Sequence, residues 1–188
     1  CIPDYDAAFF NNRLFYKRAK NIGKITKEQA KRLGATGPVL RATGLKYDIR
    51  KIDPYAVYDK IDFEVPTRED GDAYSRIWVV RDEMIQSVHI IMQCFEKMPE
   101  GEVYNRIPNP FKWKIPRGET YVRVESSRGE LGLYLVSNGE DKPYRVHFRT
   151  PSYPHGLVIL EKLLENASIA DVGNIMISLY ITAPEIDR

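Results

Sequence analysis

The residues best suited to chemistry lie in one short segment, Arg128-Gly129-Glu130-Leu131-Gly132, between two predicted strands. The glycines allow the backbone to approach another part of the protein closely, and Arg128 and Glu130 place opposite charges at one end of a sheet. These charges could face a ligand or form a surface ion pair worth about 0–1 kcal/mol. Residue types alone favour the surface ion pair.

A second group of charges lies in a segment that also contains Gly37, Pro38, Gly44 and Pro54. It consists of Arg41, Asp48, Arg50 and Asp53. Buried charges need partners, so these side chains are either solvated or bonded across a subunit boundary. The sequence leaves both alternatives open.

The sequence lacks the motifs of nucleophilic, phosphate-binding and metal sites. No serine has a nucleophile-elbow context, no Cys/His arrangement supports thiol catalysis, and no glycine-rich phosphate loop is present. The histidines have no matching Cys or carboxylate spacing, so we predict no metal ligands. His155, after Pro154 near a predicted helix start, is a weak site candidate.

Composition limits the function classes. The chain has 188 residues, with 28 Lys and Arg against 26 Asp and Glu, and 43% of it is apolar. This composition suits one domain, or one part of a larger subunit, and argues against a disordered chain and a dedicated nucleic-acid binder. Two cysteines cannot form a disulfide framework or a four-thiolate metal site. The chain begins at Cys1 without a signal-peptide pattern, which fits a processed, spliced or truncated product.

The first third, residues 1–66, is predicted to be an irregular strap and loop segment. Residues 1–23 are expected to lie as a strap on another surface. Residues 35–44 are too rich in Gly and Pro for a regular element, and the long irregular segment they begin is expected to continue to 55. Two regular elements interrupt this segment. The capping box at Thr26–Gln29 predicts a short helix that ends near Gly34, and the alternation at Ile61–Val65 predicts a short strand.

The remaining residues predict an α+β fold. Apolar residues at helical spacing predict one long helix over 72–98, whose two apolar stripes indicate burial on more than one side, as in a bundle. Pro99, Pro108, Pro110 and Pro116 exclude a helix in the linker that follows. An apolar period of two within 118–150 predicts an antiparallel meander of three strands. Residues 155–188 are predicted to form two helices, 155–166 and 169–180, and a tail after Pro184. The apolar run from Val172 to Ala183 is too short to cross a bilayer.

These segments, in this order, resemble the C-terminal half of the large catalytic subunit of respiratory complex I, a relative of [NiFe]-hydrogenase large subunits. The resemblance implies a hydrogenase-large-subunit-like helical bundle with a small antiparallel sheet, and it covers nearly the whole chain. The number of colinear matches is more specific than any single motif, and the matching stretches include Thr36-Gly37-Pro38-Val39-Leu40-Arg41, Lys46-Tyr47-Asp48-Ile49-Arg50-Lys51, Gly71-Asp72-Ala73-Tyr74-Ser75-Arg76, Glu125-Ser126-Ser127-Arg128-Gly129-Glu130-Leu131-Gly132, Arg149-Thr150-Pro151-Ser152 and Asp187-Arg188.

The resemblance also implies that the metal chemistry of hydrogenases is lost. The two cysteines that hydrogenases carry near the C-terminus correspond to Thr182 and Glu185, and Tyr180 replaces a nearby aspartate. Soft-metal ligation is therefore expected to be lost here, and with it the hydrogen chemistry. Glu185 instead matches the acidic residue that complex I large subunits carry before their closing Asp-Arg.

Arg128 matches the arginine that hydrogenases suspend over their metal site. In a metal-free relative it would face the emptied cavity, where a fixed cation could orient a quinone or another acceptor, with Glu130 and Arg149 as neighbours. The resemblance thus makes Arg128, Glu130 and Arg149 the predicted catalytic set. The predicted cofactor-binding set is Arg41, Asp48, Arg50 and Glu185.

The implied function is that of an oxidoreductase subunit on the electron-output side of a complex I-like assembly, dependent on NADH or ferredoxin. Electrons would pass from a [4Fe-4S] cluster in a neighbouring small subunit to a quinone-type acceptor, coupled to ion translocation. The alternatives are a ferredoxin-dependent complex that reduces polysulfide or sulfane sulfur, and a structural assembly module. The chain itself is expected to bind no cofactor.

The expected partners are the small iron–sulfur subunit, the N-terminal half of the large subunit, a C-type subunit and a membrane subunit of the H type, with no nucleic acid. The family's headgroup-binding histidine and tyrosine belong to that N-terminal half. The expected location is the peripheral arm of a membrane-bound complex, on its cytoplasmic or matrix side.

Overall fold

The structure is a computed structural model that describes residues 2–102, 104, 109 and 114–187. Predictions that concern Cys1, Pro108, Pro110 and Arg188 lie outside the described residues. Within the described part, short helices, one long helix and a small sheet follow one another, so the α+β prediction is confirmed.

The α-helices of the described residues are α1 (Ile2–Tyr5), α2 (Arg13–Ala19), α3 (Lys27–Arg32), α4 (Gly37–Arg41), α5 (Ile49–Ile52), α6 (Ala73–Glu96), α7 (Ser152–Pro154), α8 (Leu160–Leu164), α9 (Val172–Ser178) and α10 (Ala183–Ile186). Asp6–Phe10 and His155–Ile159 are π-helical, and Tyr58–Lys60 and Ile169–Asp171 are 3₁₀ turns. The strands are β1 (Gly118–Ser126), β2 (Gly129–Ser137) and β3 (Arg145–Arg149).

The N-terminal segment lies on another surface, as expected, but it is helical rather than irregular. Asn12 begins α2 by accepting hydrogen bonds from the backbone of Leu14 and Phe15, which satisfies two free donors of the first turn. The rings of the segment pack on α6, with Phe10 centred 4.1 Å from Trp78. Aromatic packing therefore fixes this segment against the long helix.

The predicted helix after Thr26 is confirmed. The Thr26 side chain accepts from Gln29 N and the Gln29 side chain accepts from Thr26 N, which is the reciprocal pattern of a capping box. Gly34 follows the helix with a φ of +74°, the left-handed conformation expected at this place.

The prediction that residues 35–55 contain no regular element was wrong. Pro38 lies in the first turn of α4, where its missing N–H has no helical partner to lose. Asp48 begins α5 by accepting a hydrogen bond from Arg50 N at 2.9 Å. Short helices are thus compatible with these residues, because each begins at a position that Pro or Asp favours.

The predicted strand at Ile61–Val65 was also wrong, although its alternation is real. Ile61, Phe63 and Val65 are buried, and they pack with Ile90 of α6 in a small apolar cluster. The backbone between them bonds to glutamine side chains of α6: Asp62 N donates to Gln93 Oε1, and Glu64 N to Gln86 Oε1, both at 3.0 Å. These amides take the role of a neighbouring strand.

The long helix is confirmed from Ala73 to Glu96, and Asp72 caps it through the backbone N–H of Ser75. The predicted burial on more than one side is seen in part, because α6 packs against α2, α4 and α9. Its described buried residues are Ala73, Ser75, Arg76, Val79 and Ile90. Its C-terminal half exposes a run of apolar side chains, Val88, Ile91, Met92 and Phe95, each at least half exposed.

The main core lies where α3 and α4 meet α8, α9 and the π-helical turn before α8. Its buried apolar residues are Ile25, Ala30, Ala35, Val39, Leu40, Ile159, Leu163, Ile175 and Leu179. The core therefore joins segments from both ends of the chain, and it supports the loops that hold the sheet.

The three predicted strands are confirmed, and they pair antiparallel in the order β1-β2-β3. Paired residues share a face of the sheet, so Glu125 and Glu130 lie on one face, together with Arg149 opposite Gly132. The opposite face carries the row Val122, Leu133 and Phe148, of which Val122 is 54% exposed. The polar face thus turns toward the body of the protein at this end of the sheet, and the apolar face is left partly open.

The C-terminal helices differ from the prediction at their boundaries. Helical structure begins at Ser152, before the predicted start at 155, and α9 ends at Ser178, before Tyr180. Pro184 does not end a helix but lies in the first turn of α10. Among the described residues, no helix combines the length and apolar character that a membrane crossing requires.

Candidate functional site

The candidate site is built around the two-residue turn Ser127-Arg128, which joins β1 to β2 after the pair Ser126–Gly129. The turn is held against the start of α4 by backbone contact. A Cβ on Gly37 would lie closer to the carbonyl oxygen of Arg128 than real Cβ contacts allow, and both Gly37 and Gly129 have positive φ angles, +61° and +132°. Glycine at these two positions is therefore what allows the loop and the turn to meet.

Arg128 is placed between the protein and solvent. Its side chain is 35% exposed, and its Nη1 lies 3.6 Å from Glu185 Oε1. Its Nε is buried and has no hydrogen-bond partner in the described part of the chain. A buried donor without a partner costs free energy, and it is the exposed part of the guanidinium that a ligand can reach.

Glu185 connects Arg128 to the segment after β3. Its carboxylate accepts a short hydrogen bond from the Ser152 hydroxyl, and its backbone carbonyl accepts one from Thr150 Oγ1 at 2.5 Å. Thr182 N in turn donates to Ser152 Oγ at 3.2 Å. These bonds fix α10 beside the turn. The carboxylate partner of Arg128 is therefore Glu185. The surface ion pair considered from the sequence would have required Glu130 instead.

Glu130 and Arg149 lie together, behind the turn. Arg149 Nη1 donates to the Glu130 carbonyl at 2.5 Å and to Thr36 Oγ1 at 3.3 Å, while Glu130 N donates to the same hydroxyl at 3.2 Å. The Glu130 carboxylate accepts a 2.7 Å bond from the Tyr47 hydroxyl. Burial and this bond raise the pKa of Tyr47 to about 12. Glu130 and Arg149 therefore fix the loop before α4, and that loop contacts the turn.

His155 is fully buried behind this loop. Its Nε2 accepts a 3.4 Å hydrogen bond from Thr36 N. Burial lowers its pKa to about 3, and the nearby positive charge of Arg149 adds to that effect. His155 is therefore neutral at physiological pH and supports Thr36, whereas the other two histidines, His89 and His147, are exposed.

Arg41 is the centre of a buried ion cluster inside this chain. Its Nε donates to Glu83 at 2.6 Å, and its Nη1 donates to Glu125 and to the Tyr47 carbonyl, each at 2.8 Å. Its side chain is 1% exposed. Neither expected alternative, solvation or a bond across a subunit boundary, describes Arg41, because its partners come from α6 and β1 of the same chain.

Asp48 and Arg50 complete this cluster. Arg50 makes two bonds to the Asp48 carboxylate, at 2.9 and 2.6 Å. Burial acts to raise the pKa of Asp48, but the bonds from Arg50 outweigh it and hold that pKa below its ordinary value. Asp53 lies apart from the cluster, where it pairs with Arg123 of β1 at 3.3 Å in an exposed setting.

The two glutamates that share Arg41 respond differently from Asp48. Burial raises the pKa of both Glu83 and Glu125, and the attraction of Arg41 only partly offsets it. A cavity of about 260 Å³ lies beside them and extends to Ser126 and Ser127. The ion cluster and the turn that carries Arg128 therefore border one another.

Sequence reasoning missed three residues that shape the site: Glu83, Thr36 and Ser152. Glu83 lies on α6 four residues after the buried Val79, so its place on the same side of the helix was the available signal. Thr36 and Ser152 act through single hydroxyls, and their sequence context gives no comparable signal.

The arrangement suits recognition of a ligand oxygen or an anion more than metal binding. A guanidinium offers several donors in a fixed plane, and the Arg128 side chain is partly exposed. In the described parts of the chain, no group of three or more His, Cys, Asp or Glu side chains is placed to hold a metal ion.

Comparison with known proteins connects this architecture to respiratory complexes. The family model for the 49-kDa subunit of respiratory-chain NADH dehydrogenase matches residues 1–188 of this chain. The D-type subunit of NADH-quinone oxidoreductase from Thermosipho melanesiensis is 46% identical over all of this chain and 52% of its own length. The D-type subunit of F(420)H(2) dehydrogenase from Methanosarcina mazei is 41% identical over all of this chain and 51% of its own length.

A solved structure is similar as well. A chain of the membrane-bound sulfane sulfur reductase, an archaeal respiratory membrane complex, superposes with a TM-score of 0.93 at 44% identity, over all of this chain and 51% of that one. The chain thus spans about half the length of the relatives it matches. These matches confirm the resemblance proposed from the sequence motifs, and the chain belongs to the family of the 49-kDa subunit of respiratory-chain NADH dehydrogenase.

Proposed function

We propose that this chain forms part of the electron-output subunit of a complex I-like, membrane-bound oxidoreductase, in which Arg128 orients the electron acceptor. Electrons come from a [4Fe-4S] cluster in a neighbouring small subunit, and reduction of the acceptor is coupled to ion translocation by the membrane part. In this proposal the chain is peripheral, on the cytoplasmic or matrix side, and acts only within the complex.

The observation that carries the proposal is the state of the Arg128 side chain. Its guanidinium is partly open to solvent, its Nε is buried without a partner among the described residues, and its carboxylate neighbour Glu185 stays 3.6 Å away. A carbonyl oxygen or an anionic sulfur chain could accept hydrogen bonds from such a group. Glu130 and Arg149 act as positioning residues, because they hold the loop that contacts the turn.

The exposed apolar surfaces support the proposal that this chain acts within a multi-subunit assembly. Val88, Ile91, Met92 and Phe95 of α6 are each at least half exposed, and so is Val122 on the open face of the sheet. Apolar patches of this kind are typical of surfaces that associate with other proteins. The proposed partners are the small iron–sulfur subunit, the N-terminal half of the large subunit, a C-type subunit and an H-type membrane subunit.

The acceptor has two candidates, quinone and sulfane sulfur. Quinone is favoured by the relatives that are named for NADH-quinone oxidoreductase, and sulfane sulfur by the 44% identical chain of the sulfane sulfur reductase. NADH, F420H2 and ferredoxin remain candidate donors. Supplying the purified complex with a quinone analogue or with polysulfide, and measuring which is reduced, decides between the acceptors.

The test of Arg128 is the Arg128→Ala substitution in the reconstituted complex, with turnover normalised to assembled complex. We expect acceptor reduction to fall about 100-fold, the loss typical when one preorganised donor is removed. The matched control is Arg123→Ala on β1, the strand that leads into the turn, because the Arg123 side chain pairs with exposed Asp53. Unchanged acceptor reduction in an assembled Arg128→Ala complex would favour a purely structural module instead.

A further inference from the structure

The ion cluster around Arg41 contains more carboxylates than guanidiniums. Arg41 and Arg50 bring two positive charges, while Asp48, Glu83 and Glu125 bring three negative ones. Asp48 is matched by Arg50, which leaves Glu83 and Glu125 to share Arg41. Two carboxylates that share one buried cation are unfavourable when both are ionised, and one added proton would balance the charges of the cluster.

The hydrogen bonds indicate which glutamate holds that proton. Both carboxylate oxygens of Glu125 accept hydrogen bonds, from Arg41 Nη1 at 2.8 Å and from Ile49 N at 3.1 Å, and its side chain is 3% exposed. Glu83 accepts from Arg41 Nε through Oε1, and its Oε2 has no donor among the described residues. Hydrogen bonds to the charged form favour ionisation, so Glu83 is the better placed of the two glutamates to take up a proton.

The surroundings of Glu83 supply the other charges that act on it. Arg41 of α4 and Arg50 of α5 favour its ionised form, Glu125 of β1 opposes it, and the Tyr180 hydroxyl after α9 lies near enough to interact. Burial is the largest influence and raises the pKa of Glu83 above its ordinary value. Burial and Glu125 therefore act together against ionisation of Glu83, while the two arginines act in its favour.

Glu83 also has a route to water, through a cavity that borders the turn carrying Arg128. Its side chain is 16% exposed and lines the cavity of about 260 Å³, which has room for several water molecules. Ser126 and Ser127 form another wall of that cavity, and Ser127 directly precedes Arg128. A proton on Glu83 can thus exchange with water in this cavity, which borders the turn that carries Arg128.

We propose that Glu83 is an exchangeable proton store that supplies acceptor reduction at the Arg128 turn. This inference rests on the proposed function. A quinone that receives two electrons from the neighbouring iron–sulfur cluster forms two O–H bonds and needs two protons. Glu83 gives one through the cavity water, and solvent water supplies the other. The Glu83 carboxylate that remains is stabilised by Arg41 and is then protonated again from solvent through the cavity.

The test uses the assembled complex with Glu83→Gln, which keeps the shape and the acceptor oxygen for Arg41. Glu96→Gln, an exposed glutamate at the end of the same helix, is the matched control. Infrared difference spectra at neutral pH are expected to show a neutral carboxyl C=O band in the wild type and in Glu96→Gln that is absent in Glu83→Gln. Turnover of Glu83→Gln is expected to fall about 100-fold and to lose the fall on the alkaline side of the pH–rate profile that the wild type shows.

Several results would overturn the inference. The first is a neutral carboxyl band that survives in Glu83→Gln, and the second is a pH–rate profile of Glu83→Gln equal to that of Glu96→Gln. The third is a pH–rate profile that shifts with Na⁺ concentration, because such a shift would place a cation in the cavity. If Glu83→Gln does not assemble, ¹³C-glutamate labelling of the wild type must shift a neutral carboxyl band, and its absence overturns the inference equally.

The same experiments test the proposed function of Arg128 separately from the proton store. If Arg128→Ala keeps wild-type turnover while Glu83→Gln behaves as expected, Arg128 does not orient the acceptor but Glu83 still supplies the proton. If Arg128→Ala loses turnover and Glu83→Gln does not, the proton store alone is wrong.

Discussion

Arg41 and Arg128 are two arginines at the same end of one sheet, and they differ in how fully the chain satisfies them. Arg41 is 1% exposed and donates to two glutamates and a backbone carbonyl. Arg128 is 35% exposed, with one carboxylate 3.6 Å away and a buried Nε that has no partner in the described residues. A satisfied guanidinium stabilises the fold, whereas an unsatisfied one is available to a ligand.

The largest expected effect is that of Arg41→Met. It leaves Glu83 and Glu125 buried without the cation they share, which destabilises a protein by about 3–5 kcal/mol. Denaturant unfolding of the full-length subunit measures this loss. Arg123→Met, on the exposed pair with Asp53, should stay within about 0.5 kcal/mol of the wild type. Equal stability of the two variants would show that the Arg41 cluster is not structural.

Gly37→Ala tests the contact that presents Arg128. An alanine there must adopt a φ of +61° and would force its Cβ against the Arg128 carbonyl. We expect a loss of about 3 kcal/mol, since strain of this kind costs about 1–3 kcal/mol and the clash adds to it. Gly173→Ala in α9 is the control, because a Cβ there meets nothing within 4 Å. A thermal unfolding scan in which Gly37→Ala matches Gly173→Ala would contradict the close approach.

These contacts also explain what the sequence could predict. The long helix, the helix after Thr26 and the three strands follow from local periodicity and capping, and each was found close to its true bounds. The Arg41 cluster could not be found in this way, because its bonds to Glu83 and Glu125 span 42 and 84 residues. The segment at Ile61–Val65 has a strand pattern, but side chains of α6 satisfy its backbone.

The resemblance predicted the neighbourhood of Arg128 better than its partners. It named Glu130, Arg149 and Glu185 as site residues, and the structure places all three around the turn or the loop that holds it. It did not predict that Glu185 would be the carboxylate beside Arg128, because that contact depends on how α10 docks through Ser152 and Thr150. Whether these residues act on an acceptor stays a prediction.

Glu185→Gln sharpens the comparison at the Arg128 side. It removes the negative charge 3.6 Å from the guanidinium and keeps an oxygen for Ser152. Because a partly exposed pair is worth up to about 1 kcal/mol, we expect an approximately fivefold rise in the acceptor KM with kcat unchanged. Steady-state kinetics of the assembled complex measure this, and Asp53→Asn is the control. A KM equal to that of the control would mean that Glu185 does not orient Arg128.

His155 gives the smallest effect at neutral pH and a clear one in acid. Its pKa in the folded protein is about 3, below the ordinary value of about 6.5, so the unfolded chain binds a proton first as pH falls. The contribution of neutral His155 to the free energy of unfolding is fully present above about pH 6.5. It decreases toward pH 3, by up to about 1.4 kcal/mol per pH unit. Unfolding of the full-length subunit across this range should be less acid-sensitive in His155→Gln. An unchanged slope would place the acid sensitivity elsewhere.

The most direct test of the central claim is chemical rescue of Arg128→Ala by free guanidinium. If the turn offers an unsatisfied guanidinium to the acceptor, adding guanidinium ion at a concentration below that which unfolds the complex should restore part of the lost turnover. The same addition should leave Arg123→Ala unchanged. Failure of guanidinium to raise the turnover of an assembled Arg128→Ala complex, or equal stimulation of both variants, would contradict the account.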